Sequence, residues 1–543
     1  MKIAFLVLSS IIVLSSHLLV AAEPTSLELG LDEAIARALG KNLDLRVERE
    51  NVVVADANVD RAKGAYDPAL HLDARYRDRT DPVNSILSGA PAGEVGPNTS
   101  GFLLTGGLSQ LLPTGGTVSL SSSLSRETTD NVFGLLSPSY TTSLGLELRQ
   151  PLLQNRSVDA ARRGLRVARI DRDRSTASLT RAVSETVAAV EKAYWTLVAA
   201  RREVEARTSA VTLADEQKTD VRSRFEGGVL SEADLAAPTA ELERRRGELF
   251  AAQEAAARAE NALKALLGGD PSDPVWASQL VPVDPPTDAA GAAGETAGAA
   301  TDVAVDSAAA VAAADTNRPE IAEASARIAR SAIDEEVARS RVLPQLDLVG
   351  AYTGRGLAGS KNPGVSAPFP IPISVPPALD GGLGRSYGTL FDNRFPDASI
   401  GLSLGIPIGN RAARSDAVVA RSARIQAEAG LAQVRQRVEV EVLNAVAALR
   451  SATQRVEAAR AGREAAETLL RAENDRFAAG TTNPFFVLTR QNDLTQARIA
   501  EVAALTDHRK ARSELARAKG TILQERNIRI EDHRPASPAG GSR

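Results

Sequence analysis

The longest regular pattern in the chain is a run of apolar residues spaced alternately four and three positions apart. The run lies in a proline-free stretch from Arg411 to Gly480 and comprises Val438, Val442, Ala445, Leu449, Ala452, Val456 and Ala459. A period of 3.5 residues is typical of helices that pack along a left-handed seam. At 1.5 Å per residue, an unbroken helix of this length would be roughly 100 Å long. The pattern therefore predicts an elongated helical structure.

The same pattern occurs again in the first half of the chain, between 157 and 227. Its apolar positions are Val183, Val187, Val190, Tyr194 and Leu197. Other landmarks recur in the same order: Pro68 and Pro151 correspond to Pro344 and Pro407, and an Arg-Phe-x-x-Gly turn follows at 224–228 and at 476–480. Repetition of so many features in one order indicates an internal duplication.

The duplication predicts the domain organisation of the whole chain. We expect a signal peptide at 1–22, a first repeat at 23–267, a low-complexity linker at 268–317, a second repeat at 318–525 and a disordered tail at 526–543. The first repeat would contain helices at 31–63, strands at 69–150, a long helix at 157–227 and a return helix at 231–267. The second would contain a helix at 319–341, strands at 345–408, a long helix at 411–478 and a return helix at 484–523. The signal peptide is inferred from an apolar run that ends at small residues, Ala21 and Ala22.

Between the short and long helices of each repeat, apolar and polar residues alternate. In the first repeat Leu70, Leu72, Ala74 and Tyr76 alternate with His71, Asp73, Arg75 and Arg77. Such alternation predicts strands with one apolar and one polar face. Gly-, Pro- and Ser-rich loops are expected at 80–100 and at 354–392. A periplasmic β-sandwich that carries coiled coils would also fit this pattern.

A membrane location would require these strands to form a closed β-barrel. After the signal peptide, no apolar run reaches the ~18–20 residues that a membrane-spanning helix needs. Strands with one apolar face, long loops and an export signal are features of outer-membrane barrels. One chain offers too few strands to enclose a water-filled pore. A barrel therefore requires several identical chains, which makes the protein a homo-oligomer in this interpretation.

Composition and charge argue against several classes of function. The 64 basic and 68 acidic residues alternate along the helices, and the net charge of -4 does not favour nucleic-acid binding. There are no cysteines, and the four histidines are scattered, so we expect no metal site. The sequence has no nucleophile elbow, phosphate-binding loop or other catalytic motif. We therefore expect no enzyme activity and no cofactor.

Several short motifs follow one another along the chain: Leu31-Asp32-Glu33-Ala34, Asn42-Leu43-Asp44-Leu45, Tyr66-Asp67-Pro68-Ala69-Leu70, Gln150-Pro151-Leu152-Leu153, Leu343-Pro344-Gln345-Leu346, Gly405-Ile406-Pro407-Ile408 and the two Arg-Phe-x-x-Gly turns. Each motif is weak alone, but in this order they make the sequence from Leu29 to Leu523 resemble the TolC family of outer-membrane efflux proteins. The resemblance implies a fold that is mainly α with a β-barrel part. In this fold a homotrimer shares a twelve-stranded transmembrane barrel in the outer membrane and a twelve-helix coiled-coil tunnel in the periplasm.

The resemblance also implies partners and a site. The channel would contact outer-membrane lipid and conduct substrates passively from a periplasmic adaptor protein, which joins it to an inner-membrane pump or an ABC transporter. The linker would lie in an equatorial belt around the tunnel. The adaptor would dock at the helix-hairpin turns, which comprise Arg224, Phe225, Gly228 and Ser231 in the first repeat and Arg476, Phe477, Gly480 and Asn483 in the second.

The sequence departs from the family pattern in strand number and at the tunnel entrance. A second predicted hairpin around Pro113–Gly116 leaves open whether each chain supplies four strands or six. Aspartates that narrow the entrance in some members correspond here to Phe486 and Thr489. The arginine that ties this turn to the next hairpin corresponds to Thr482, although its acidic partner is retained as Asp234. The resemblance therefore does not imply an acidic gate here.

Two questions remain open at the level of sequence. Phe485 and Phe486 could form an apolar constriction at the entrance, or they could pack the turn between hairpins. For the whole protein, an export channel is favoured over a porin-like or surface-adhesive protein with a coiled-coil spacer, and over a periplasmic coiled-coil scaffold. The doubled turn motif supports this choice, since a spacer would not need it.

Overall fold

A computed structural model describes residues 26–83, 85, 87–228, 232–285, 306–365, 374–479, 481–482 and 484–530. The predicted signal peptide, most of the predicted tail, Ser231, Gly480 and Asn483 lie outside the described residues. The side chain of Asp234 also lies outside this description. The described chain is mostly helical with a sheet part, which confirms the predicted mainly α fold class at this level.

The elements follow one another in a helix–sheet–helix order that occurs twice. They are β1 (Ser26–Leu29), α1 (Leu31–Lys41), α2 (Leu43–Lys63), β2 (Ala69–Thr80), β3 (Asn98–Leu111), β4 (Thr117–Thr129), β5 (Leu136–Pro151), α3 (Ala160–Glu226), α4 (Glu232–Leu267), β6 (Gln279–Pro282), α5 (Ser307–Asn317), α6 (Pro319–Val342), β7 (Gln345–Lys361), α7 (Leu383–Phe391), β8 (Phe395–Gly405), α8 (Arg411–Ala478), α9 (Pro484–Lys519) and α10 (Ile522–Glu525). Short 3₁₀ helices lie at Gly64–Tyr66 and Pro274–Trp276.

The elements belong to two units. Within the described ranges, one unit comprises residues 26–47, 182–318 and 438–530, and the other comprises residues 48–181 and 319–437. The helices α2, α3 and α8 contribute residues to both units. We describe each unit separately.

The second unit contains a six-stranded sheet in the order β2-β3-β4-β5-β7-β8. All five neighbouring pairs are antiparallel. The hairpin around Pro113–Gly116 is therefore part of the sheet, as the junction of β3 and β4. Of the two strand counts that the sequence left open, four and six, the described sheet has six.

The sheet has one apolar and one polar face. The apolar face carries the even-numbered residues, such as Leu72, Leu104, Leu120, Leu146 and Leu402, and these side chains are 36–71% exposed. The odd-numbered positions are occupied mainly by serine, threonine, glycine and charged residues. Every residue of the two edge strands, β2 and β8, is exposed in the single chain. A large exposed apolar surface of this kind indicates contact with lipid or another chain.

The prediction of a loop at 354–392 is wrong in two places, because β7 continues to Lys361 and α7 lies within the segment. The glycines in this stretch allow a helix to approach the strand closely. A Cβ atom on Gly356 would lie 2.0 Å from the carbonyl oxygen of Ser386, so a larger residue would push α7 away. The Gly- and Pro-rich composition of this stretch indicated a loop, but Gly354 and Gly356 lie in a strand and are packed closely against α7.

The first unit is built around Tyr194, which is completely buried. Its hydroxyl oxygen lies 2.6 Å from Asp284 Oδ2, and the same carboxylate oxygen accepts the backbone N–H of Leu31 at 2.7 Å. Burial and the hydrogen bond to Asp284 raise the pKa of Tyr194. These bonds hold the parallel pair of β1 and β6 against the long helix.

The predicted low-complexity linker at 268–317 contains a strand and a helix in its described parts. β6 pairs with β1, and α5 is capped by Asp306, whose side chain accepts the N–H of Ala308 at 2.9 Å. Ala310 and Ala314 are buried. An alanine-rich composition suggested low complexity, but these small side chains form a packed helix face.

The first residue of the predicted tail is anchored, which corrects the boundary placed at 526. Arg526 donates from Nε to Glu191 Oε1 at 2.7 Å, and Glu191 is only 4% exposed. The carboxylate neutralises the arginine and holds the chain after α10 against α3. Such a contact between residues 335 positions apart has no local sequence signal.

Glu514 belongs to an ion-pair network in the first unit. Its carboxylate contacts Lys192 and Arg517, and Arg517 also contacts Glu441, which pairs with Arg318. Burial alone would raise the pKa of Glu514, but hydrogen bonds from Arg517 and Lys192 outweigh this effect and lower the pKa to about 2. The ionised form is therefore stabilised by folding.

We expect the Glu514→Gln variant to be less stable than the wild type at neutral pH, by about 1–2 kcal/mol after allowance for the partial exposure of the site. Because the folded-state pKa lies below the ordinary value of 4.5, the difference should be complete above pH 4.5 and vanish as the pH falls towards 2. Denaturant unfolding of both proteins at pH 7 and pH 3, at one protein concentration, measures this difference in the free energy of unfolding. Glu254→Gln, which removes an exposed pair with Arg258, is the control and should have little effect at either pH. An equal loss at both pH values would contradict the assignment.

Candidate functional site at the helix-hairpin turns

Both predicted docking turns lie in the first unit, where a long helix gives way to its return helix. In the first turn α3 ends at Glu226, and the N–H of Gly228 donates to the carbonyl of Phe225 at 2.9 Å. Gly228 has a φ of +74°, and no heavy atom of the described residues lies within 4 Å of the position where its Cβ would be. Its requirement for glycine is therefore one of backbone conformation rather than space.

The second turn is closed by a threonine and a buried glutamate. Thr482 Oγ1 donates to Glu473 Oε1 at 2.6 Å, and Glu473 is only 8% exposed. The backbone N–H of Thr481 donates to the carbonyl of Arg476 at 3.0 Å. Arg476 itself lies 3.5 Å from the Glu473 carboxylate. Glu473 thus ties both sides of this turn together.

Sequence reasoning missed Glu473. It aligned Thr482 with an arginine of the family whose acidic partner corresponds to Asp234, and it predicted no bond for the threonine itself. The structure brings Thr482 to a glutamate on the preceding helix. The Asp234 side chain lies outside the described residues. A glutamate nine residues before a turn threonine has no periodic signal. An acidic residue on the otherwise buried side of α8 was the available clue.

Aromatic side chains dominate the exposed surface of the second turn. Phe485 and Phe486 are 67% and 49% exposed, and their ring centroids lie 5.8 Å apart in an edge-to-face arrangement. Phe477 on the other side of the turn is 37% exposed. Thr489 donates its hydroxyl to the carbonyl of Phe485 at 2.9 Å, which uses its donor within the helix. The first turn of α9 contains no acidic residue.

The charged residues of the first turn are paired along their own helix. Arg224 lies 3.0 Å from Asp220, and Arg222 lies 3.3 Å from Glu226. Phe225 is half-buried between them. The charges that α3 brings to this turn therefore balance one another, which suits a contact formed there by shape and apolar area rather than by net charge.

The described residues lack the features of two other kinds of site. No group of His, Asp or Glu side chains in the described ranges is arranged so that it could hold a metal ion. Among the described helices, none contains an apolar stretch of the length required to cross a bilayer.

The chain is similar to known proteins both in family and in fold. The chain matches a family model described as outer membrane efflux protein over residues 109–269 and 310–521. In fold it is similar to the CmeC outer membrane channel of Campylobacter jejuni (TM-score 0.60, 16% identity, 91% of this chain and 86% of that chain). It is also similar to the outer membrane protein VceC of Vibrio cholerae (0.57, 15%, 90% and 96%) and to the open state of the MtrE outer membrane channel of Neisseria gonorrhoeae (0.57, 18%, 94% and 95%). No curated protein sequence matches the chain. Both segments of the family match include a hairpin turn.

Proposed function

Because the chain belongs to the outer membrane efflux protein family, as its sequence motifs predicted, we propose that it is the outer-membrane exit channel of an efflux or secretion system. The family is one of transport channels. In our proposal three copies form the channel, which conducts substrates passively from the periplasm to the outside. The long helices lie on the periplasmic side, and the sheets lie in the membrane.

The observation that carries the proposal is the sheet, which is incomplete in a single chain. Its edge strands β2 and β8 are exposed along their whole length. Since five antiparallel pairings separate them, β2 and β8 run in opposite directions. β8 of one copy can therefore pair antiparallel with β2 of the next. This head-to-tail contact closes into a ring when each copy is rotated by the same angle.

Three six-stranded sheets supply eighteen strands to the proposed barrel, rather than the twelve that the family resemblance implied. Barrels of this size leave a water-filled channel. The apolar even-numbered face would contact lipid, and the polar odd-numbered face, which includes Arg75 and Arg77, would line the pore. Each chain thus supplies two strands more than the four of a twelve-stranded barrel, and the extra two belong to the first repeat, which contributes β2 to β5.

The hairpin turns are the proposed docking surface for a periplasmic adaptor protein, which in turn would connect the channel to an inner-membrane pump or ABC transporter. Support comes from the aromatic side chains of the two turns, Phe225 in the first and Phe477 and Phe485 in the second, which are partly exposed in the single chain. Aromatic side chains are enriched at protein–protein contacts. The glycine turns would set the shape of this surface.

Conductance measurement tests the channel function and the role of Phe486 together. Purified trimers in a planar lipid bilayer should give uniform conductance steps; a complete absence of steps from intact trimers would contradict an open conduit. If Phe486 forms a constriction, Phe486→Ala should raise the conductance several-fold, because hydrophobic constrictions exclude water. Phe250→Ala, which removes an exposed phenylalanine in the middle of α4, should leave the conductance unchanged. If Phe486→Ala also leaves it unchanged but lowers the melting temperature of the trimer, Phe486 packs the turn instead.

A further inference from the structure

The strand β7 extends beyond the point where its partner β8 begins, and its free edge is covered by α7 and the loop before it. The pairing of β7 with β8 ends at Arg355 and Phe395. Beyond it, the N–H of Leu357 donates to Thr389 Oγ1 at 3.0 Å. The N–H of Gly359 donates to the carbonyl of Leu379 at 2.9 Å. Backbone N–H groups of β7 thus bind a side chain of the helix and the backbone of the loop before it.

The helix lies over the apolar face of the sheet. Gly354, Gly356 and Ala358 belong to the same even-numbered face as Tyr352, and all three are buried. A hydroxyl contact between Thr142 and Ser386, at 3.1 Å, joins the helix to the neighbouring strand β5 on this face. α7 is therefore placed on the side of the sheet that the proposed barrel turns towards lipid.

A row of apolar side chains beside the buried side of α7 is partly exposed. Leu383, Tyr387 and Phe391 occur at intervals of four and form one stripe along the helix. Phe391 is 74% exposed, and its ring stacks on that of Tyr387 with centroids 6.3 Å apart. The side of this nine-residue helix that packs on the sheet carries Ser386, Thr389 and Leu390. The stripe is therefore not required for the packing of the helix on the sheet.

The same end of the sheet carries the other aromatics of the apolar face. Tyr76 pairs with Phe102 beside the loop 81–97, and these side chains are 68% and 43% exposed. Tyr140 lies on the same face near the loop 130–135. α7 belongs to the loop at this end as well. Aromatic side chains at the rim of an apolar band are typical of the boundary between lipid headgroups and acyl chains.

We propose that α7 is a lipid-contacting helix, which extends the aromatic rim of the sheet and sets Leu383, Tyr387 and Phe391 into the headgroup–acyl boundary on the loop side of the membrane. The inference rests on the proposed outer-membrane channel, because it requires the apolar face of the sheet to meet lipid. The exposed apolar side chains of α7 contact a phospholipid bilayer, which is the same bilayer that covers the apolar face of the strands.

Tryptophan quenching by brominated lipids tests this inference in the full-length trimer. Phe391→Trp is compared with Ile400→Trp, which places a tryptophan on the apolar face of β8, at a side chain 82% exposed. Both are reconstituted into vesicles of phosphatidylcholine brominated on the acyl chains. The native Trp195 and Trp276 belong to the first unit and set the unquenched background in the wild type.

We expect both variants to be quenched several-fold more strongly than the wild type, with Phe391→Trp quenched best by bromines close to the headgroup. Quenching of Ile400→Trp without quenching of Phe391→Trp would overturn the role of α7 and leave the channel proposal intact. A blue-shifted but unquenched Phe391→Trp would assign the helix surface to a protein contact instead. Absence of quenching in both variants would contradict the membrane location itself.

Discussion

The double variant Ile400→Pro/Leu402→Pro is expected to fold as a single chain but to lose the trimer completely. Both residues lie on β8, the edge strand that would pair with β2 of the next copy. Proline lacks the backbone N–H that a new strand pairing requires. The effect should be large because the substitutions remove two hydrogen-bond donors at the centre of each of three contacts.

The strand register shows why the chain itself should tolerate these prolines. The carbonyl of Leu346 faces β5, where it accepts the N–H of Leu152, whereas Leu357 bonds on the opposite side of β7. Backbone groups of successive strand residues point to alternate sides. The odd-numbered residues of β7, and their odd-numbered partners in β8, therefore form the β7–β8 bonds. Ile400 and Leu402 direct their backbone groups to the free edge, as does the native Pro396.

Gel filtration in detergent and circular dichroism measure the two outcomes separately. Ile400→Val/Leu402→Val keeps both N–H groups and should remain trimeric. The double-proline variant should elute as a monomer with the helix signal retained. A trimer that survives both prolines would contradict edge-strand pairing as the basis of assembly.

The second large effect is expected at the first hairpin turn. Gly228→Val should weaken capture of the adaptor by about tenfold, because a β-branched residue at a φ of +74° costs about 1–3 kcal/mol and the turn will change shape to relieve it. Gly228→Asn should retain most of the binding, since asparagine tolerates this conformation. The free space around Gly228 means that side-chain volume alone does not decide the result.

Pull-down from one envelope extract compares the three proteins. The adaptor is identified by mass spectrometry in the wild-type sample, and its yield is then measured for each variant at equal trimer loading. Recovery of the adaptor by Gly228→Val at the wild-type level would show that the turn conformation does not matter for docking. Equal loss in Gly228→Val and Gly228→Asn would point to side-chain volume instead of backbone strain.

The features that the sequence predicted well are those with a long period. A 3.5-residue repeat over many turns is compatible only with a helix. Accordingly, α8 lies at Arg411–Ala478, where the prediction placed a helix at 411–478. Alternation in β2 and β8 likewise identified their two faces. The landmark prolines Pro68 and Pro344 stand immediately before β2 and β7. Local periodicity and helix-breaking residues were sufficient for these elements.

What the sequence did not predict depends on contacts between distant residues. β1 and β6 have four residues each and pair across 253 positions, so neither has a local pattern. The sequence did not predict α7, because the glycines that allow this helix to pack closely against β7 are also typical of loops. At the candidate site, Gly228 was recognisable from its motif, but the bond between Thr482 and Glu473 depends on how the turn folds back.

Disulfide trapping between strand edges tests the central claim most directly, because the chain contains no native cysteine. Leu402→Cys on β8 is combined in turn with Leu70→Cys, Leu72→Cys and Ala74→Cys on β2, all on the apolar face, and membranes are oxidised before a non-reducing gel. The account predicts covalent dimers and trimers for at least one combination, and none when the β2 cysteine is placed on the polar face at Asp73. Monomers alone in every combination, from protein that is folded and present in the outer membrane, would contradict closure of one sheet by three chains.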